Sequence, residues 1–251
     1  MSELYHNDMT REALPSSEQA PGNTLNTLAA NVHRNKEILA TSELGPQLVA
    51  AYEAALRLWP EVGSTIIVPL GEEYPTTLAA AMPLWSPRNT TGQHTVLFRT
   101  HNAETAMAKS EAVLNAIPKG RELVAESFCL SPEELTPHMD HVAMFLHELS
   151  HTKEFQEFSP GAFMERKKAE RLAMPLGPMP VSRFVTPGST QYEWFVQNAD
   201  ALARKHGVED PREVLTLQLQ TYLNTSSERY ANDHAAQALS VMNSAMRASL
   251  T

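Results

Sequence analysis

The chain of 251 residues has a single cysteine, Cys129, which excludes an intramolecular disulfide framework and every cysteine-based zinc knuckle. Any metal site must therefore be built from histidine and carboxylate. Cys129 itself, in the apolar run Ser127-Phe128-Cys129-Leu130, is expected to be a small buried hydrophobe and not a nucleophile. No stretch approaches the roughly 18 uninterrupted apolar residues that a membrane span needs, so no membrane insertion is expected. The start, "MSELYHNDMTREALPSSEQAPGN", lacks a basic segment followed by an apolar one, so no secretory signal is read there. The expected location is cytoplasmic by default, with export by a signal-less route left open. Positive charge is scarce too: 20 Lys and Arg against 29 Asp and Glu give a formal charge of −9. The basic stretches, Arg166-Lys167-Lys168 and Arg204-Lys205, are too short to neutralise a phosphate backbone, and nucleic acid is not an expected partner.

What is present is an ordinary globular composition, 42% hydrophobic and 20% charged. Residues 1–23 are polar and read as a flexible arm. The remainder, 24–251, reads as one domain, with a mixed α and β part over 24–157 and a helical part over 158–251. Helices are expected from about Thr24 to Leu39 and from Gly45 to Leu58, where Trp59-Pro60 stops the second. "STIIVPLG" (64–71), "HTVLFRTH" (94–101) and "ELVAESFCL" (122–130) read as strands, being β-branched or aromatic-rich runs bounded by turn residues. A helix is expected between the last two, over 102–117. After residue 131 the strand signal fades. Thr136-Pro137 opens a helix with a cap and a first-turn proline. Further helices are expected from about Ser189 to His206, after Asp210-Pro211, and from about Ser226 to Arg247.

The helix opened at Thr136 carries His147-Glu148-Leu149-Ser150-His151. At i and i+4 the two imidazoles share one face and can reach one ion, while Glu148 projects about 100° away beside the pair. Such a pattern arises by chance in roughly three chains in a hundred of this length, so its surroundings must decide its meaning. Val142, Phe145, Leu146 and Leu149 turn the motif toward the interior, where unpaired histidines and a carboxylate would be costly unless a metal or other partners satisfied them. Catalytic zinc usually takes three protein ligands. Glu154 and Glu157 stand where a metzincin-like continuation would need Gly and His, and no aspartate follows before Asp200. The remaining candidate is "SSERYANDHAAQAL" (226–239), where Glu228, Ala231 and Asn232 share one helical face: a carboxylate, a small residue permitting close approach, and an amide able to brace a histidine.

His-Glu-Leu-x-His followed by Glu-x-x-Ala-Asn resembles the gluzincin zinc metallopeptidases, in particular the motifs of HtpX- and CAAX-protease-like enzymes and of the ImmA/IrrE-type peptidases. The resemblance covers two short motifs and the order of elements. It implies an α+β, zincin-like fold, with a small mixed sheet and the active-site helix in the N-terminal part and a mainly helical C-terminal part. One Zn2+ would be held by His147, His151 and Glu228, with Glu148 as general base on a zinc-bound water in the hydrolysis of peptide or protein substrates. Asn232, Asp233 and Asp140 are candidates to brace the ligands. His234, Tyr230 and Tyr192 are candidates for the oxyanion donor. "ELVAESFCL" or "HTVLFRTH" would be the edge strand that binds extended substrate. The alternative is a zincin-fold binding or regulatory protein with a structural or inactive zinc site. His138 and His141 are expected to be solvated or next to the cap, Met144, close to the histidine face, to fill core or to line the site, and Trp85 and Trp194 to line core or cleft.

Overall fold

The computed structural model describes residues 24–71, 74 and 77–248, so the arm expected over 1–23 lies outside the described residues. It is mainly helical with one small sheet, compatible with an α+β class. Helices α1 (Thr24–Ala40) and α2 (Gly45–Leu58) come first, followed by a 3-10 turn, Pro60–Ser64, and strand β1 (Ile66–Pro69). Strands β2 (Ala79–Met82) and β3 (Thr95–Phe98) complete a sheet of order β1-β3-β2, in which β1 runs parallel and β2 antiparallel to β3. Then follow α3 (Glu104–Ala116), α4 (Gly120–Ser127), α5 (Pro137–Glu157), α6 (Pro160–Leu172), α7 (Val181–Val185), α8 (Thr190–His206), α9 (Glu213–Leu223) and α10 (Ser226–Ala248).

The long helix α5 organises the rest. Its start is set by Thr136, whose hydroxyl accepts from Met139 N at 3.2 Å, with Pro137 supplying the preset first-turn backbone. Buried residues, apolar and polar, occupy nearly every face, which makes it a helix wrapped by structure on most sides and not an amphipathic surface helix. Phe145 meets Phe98 of β3 edge-on at 5.0 Å and Tyr52 of α2 at 6.4 Å, joining sheet and helices in one apolar core. On another side α10 presents Ala231, Ala235 and Ala238, all fully buried at helical spacing, so its backbone can approach α5 closely. That close approach carries Glu228 and Asn232 to the histidines.

One edge of the sheet is closed by a side chain. Asn35 of α1, buried, donates to Tyr52 Oη at 2.9 Å and to the Thr65 carbonyl at 2.8 Å, and its Oδ1 accepts from Ile67 N at 3.0 Å. Two backbone groups on the open side of β1 and just before it, Ile67 N and the Thr65 carbonyl, are thereby satisfied. The other edge strand, β2, lies against α5.

Three expectations from the sequence need correction. "ELVAESFCL" is not a strand: Gly120–Ser127 is α4, because Val124 and Phe128, spaced i and i+4, are buried together on one helical face. It ends with Leu130 N donating to the Ala125 carbonyl at 2.9 Å, and Cys129 stands in the left-handed region at φ 56. Cys129 is consequently exposed and not buried. "HTVLFRTH" does contain a strand, but β3 is the central one; the edge beside α5 is β2, in a stretch of three alanines read from the sequence as no element at all. Among the described residues no helix is long and apolar enough to cross a membrane.

Candidate metal centre

Three side chains from two helices converge. His147 and His151, one turn apart on α5, bring their Nε2 atoms to 3.1 Å from each other, and Glu228, in the first turn of α10, points Oε2 at both, 3.2 Å from His147 Nε2 and 3.7 Å from His151 Nε2. All three residues are buried. Donors set tetrahedrally around zinc at ~2.0–2.2 Å lie roughly 3.3–3.6 Å apart, close to this spacing.

Protonation strengthens the case for a cation. His147 Nδ1 meets Asn232 Oδ1 at 2.7 Å, and His151 Nδ1 meets Glu154 Oε2 at 3.0 Å. A carboxamide or carboxylate oxygen can only accept, so each Nδ1 carries the proton and each Nε2 presents a lone pair. Glu228 Oε2, buried, has no hydrogen-bond partner. Two nitrogen lone pairs and an orphaned carboxylate oxygen facing one point repel each other unless a cation sits between them. Without one, a proton substitutes: burial opposes the charge on His151, but Glu228 and Glu154 push its pKa up to about 9. Burial likewise opposes the charge on Glu228, and Lys167 and His151 hold its carboxyl well below the usual carboxylate range.

The bracing is layered. Glu154, fully buried, also accepts from Ser227 Oγ at 2.7 Å and is paired with Arg166 of α6. Lys167, next along α6, donates to Glu228 Oε1 at 2.7 Å. Glu148 is not among the three converging groups. Its Oε2 accepts from Ala81 N of β2 at 2.6 Å, and among the described residues Oε1 carries no hydrogen bond. No family model, curated protein or solved structure matches this chain. The site must be read on its own chemistry.

Not every candidate is brought there. Asn232 reaches His147, whereas its neighbour Asp233 is exposed. Asp140 accepts from Ser110 Oγ at 2.8 Å instead of bracing a histidine; burial raises its pKa, offset in part by that hydrogen bond. Tyr230 is engaged elsewhere, accepting from Lys153 Nζ at 2.8 Å and donating to Glu157 Oε2 at 2.7 Å. His234 packs between Tyr230 and Trp59 with Nδ1 2.7 Å from the Tyr230 carbonyl. Tyr192 sits in the first turn of α8, where only its backbone, capped by Ser189, has a described hydrogen bond. None of the three aromatic candidates is a donor at the site.

The hydroxyl that does lie there is Tyr222, at the end of α9. Burial first, then the carboxylates of Glu228 and Glu148, hold its pKa well above 10, so the phenol keeps its proton. Tyr222, His147 and Asn232 also line a cavity of about 100 Å³ whose remaining wall is largely apolar, with Leu78, Phe128, Met144 and Leu219 in it. Met144 thus lines a cavity and does more than fill core. On the other side of the site Phe155 stacks on His151 at 6.2 Å and is backed by Trp85 and Phe163.

Glu154 could have been found from its i+3 spacing to His151. Tyr222 and Lys167 offered no such signal, since only the packing of α6 and α9 brings them near. His141 departs from expectation as well: it is buried, stacked on Phe98 at 4.7 Å, with neither ring nitrogen hydrogen-bonded. Trp194, 43% exposed, is a surface residue and not a core one.

Proposed function

We propose that the protein is a zinc-dependent peptidase of zincin-like architecture, with His147, His151 and Glu228 as metal ligands and Glu148 as general base. The observation that carries this reading is the division of labour among four buried groups. Three bring potential ligand atoms to one point, while the fourth, Glu148, is held apart by Ala81 with one oxygen unengaged. A purely structural site has no need of that fourth carboxylate. A zinc ion held there would supply Lewis acidity, acidifying a water and polarising the scissile carbonyl.

The protein's own groups account for the remaining steps. Glu148 Oε1 takes a proton as the water oxygen bonds to the carbonyl carbon, and Oε2 stays fixed on the Ala81 N–H so that the base keeps its aim. The protonated Tyr222 phenol donates a hydrogen bond to the oxygen that becomes negative. Glu148 then returns its proton to the nitrogen as the C–N bond breaks, leaving a carboxylic acid and an amine. The cavity beside His147 would receive a large aliphatic or aromatic side chain next to the scissile bond.

The test is Glu148→Gln, assayed on casein and on a peptide library. Cleavage should fall by about 10²–10⁴-fold while zinc stoichiometry stays at that of the wild type. Retained cleavage in this variant would refute the mechanism.

A further inference from the structure

We propose that Lys167 is a positioning residue that fixes Glu228 as a one-oxygen ligand and so sets the coordination number of the metal, an inference that rests on the metal reading above. The two oxygens of Glu228 have different surroundings. Oε2 faces the nitrogens of His147 and His151 at 3.2 and 3.7 Å, and Oε1 accepts from Lys167 Nζ at 2.7 Å. A carboxylate can bind an ion through one oxygen or through both. An oxygen held in a charge-assisted hydrogen bond by a side chain only 19% exposed is withheld from the ion unless that bond is broken.

Lys167 is itself held in place. Its neighbours on α6 grip the same site: Arg166 pairs with Glu154, the carboxylate behind His151, and Glu170 Oε1 accepts from Ser226 N at 2.8 Å and Ser227 N at 3.4 Å in the first turn of α10. Phe163 is buried below, with Lys167 Nζ 5.7 Å from its ring. One face of α6 therefore contacts the support of His151, the carboxylate of Glu228 and the start of the helix that carries it.

The consequence is chemical. Two histidines and a glutamate binding through both oxygens would occupy four positions, whereas the one-oxygen mode occupies three and leaves the fourth open, the arrangement catalytic zinc sites use. Lys167 also places a positive charge beside the ion, so the open position is kept at some cost in metal affinity.

The experiment uses the full chain loaded with Co2+, whose visible absorption is intense in four-coordinate and weaker in higher-coordinate sites. Wild type and Lys167→Arg should show the intense four-coordinate spectrum. In Lys167→Met the absorption should fall several-fold as Oε1 joins the two histidines, Oε2 and the solvent ligand and makes the ion five-coordinate, and zinc, measured against a competing chelator, should bind about tenfold more tightly. An unchanged cobalt spectrum in Lys167→Met, with circular dichroism matching wild type, overturns the inference whatever the affinity does. X-ray absorption on the zinc-loaded wild type does not depend on any variant folding: both Glu228 oxygens bound to zinc overturns the inference and leaves the metal reading intact. A wild-type protein that binds neither zinc nor cobalt overturns the metal reading, and this inference with it.

Discussion

At the scale of single residues, the groups behind the ligands should matter almost as much as the ligands. Asn232 fixes the His147 tautomer and Glu154 that of His151, and removing such a partner typically weakens metal binding by 10–100-fold. Asn232→Ala and Glu154→Gln should each raise the zinc dissociation constant by about that factor in a chelator competition, while Asp233→Ala, at an exposed position, should leave it unchanged. A second residue-scale consequence concerns acid. Burial against Phe98, aided by the charges of His138 and Arg99, pushes the His141 pKa down to about 4. Above pH ~6.5 the ring is neutral in both folded and unfolded chains and contributes no pH dependence. Between ~6.5 and 4 the unfolded chain takes up a proton that the folded one refuses, so stability falls as pH falls, by roughly 3 kcal/mol in all, and levels off below 4. Urea melts from pH 7 to 4 should show a shallower decline in His141→Phe than in wild type. The two histidines and Glu148 were legible in the sequence because their spacing is local to one helix. Glu228 needed a second motif to be seen, and Tyr222, on a different helix from every ligand, left no pattern to find.

At the scale of elements, what the sequence concealed follows from how strands and helices are specified. Residues 122–130 look like a strand by composition, yet the positions that are buried follow a helical repeat, and packing of α4 against α9 and α3 decides. β2 is the opposite case: alanine has little preference for strands, and Ala79–Met82 is extended because β3 pairs with it, Ala80 opposite Leu97 and Ala81 opposite Val96. Several helices were readable, with α1, α2, α8 and α10 bounded within a residue or two of where the sequence puts them. Close packing of α10 on α5 is the element-level contact on which the site depends. Ala235, fully buried at that contact, leaves no room for a larger side chain. Ala235→Leu should lower stability by about 1–3 kcal/mol in denaturant melts and weaken zinc binding too, because it pushes Glu228 away from the histidines. A variant that loses stability with zinc affinity intact would show that Glu228 reaches the site without help from this contact.

At the scale of the whole molecule, the proposed metal site would make folding and metal binding one equilibrium. His151 and Glu228 belong to helices far apart in sequence, and the unfolded chain cannot hold them together, so an ion that binds the folded form alone stabilises it by RT ln(1 + [ion]/Kd). At free zinc about 100 times the dissociation constant this is about 2.7 kcal/mol, and for a chain of this size 1 kcal/mol moves the melting temperature by roughly 2–4 °C. Thermal melts with zinc should therefore lie roughly 5–11 °C above melts in a chelator. Glu228→Ala should abolish most of that difference, since it removes the only carboxylate that faces both Nε2 atoms among the described residues. Mg2+ should not substitute, because two imidazole nitrogens and one carboxylate oxygen are a poor match for an ion that demands octahedral oxygen. These melts separate a metal centre from the alternative in which the proton on His151 is the permanent occupant. In that case the melts with zinc and with chelator superimpose, and the stability that Glu228 and Glu154 lend to the protonated ring is lost as pH rises through about 9.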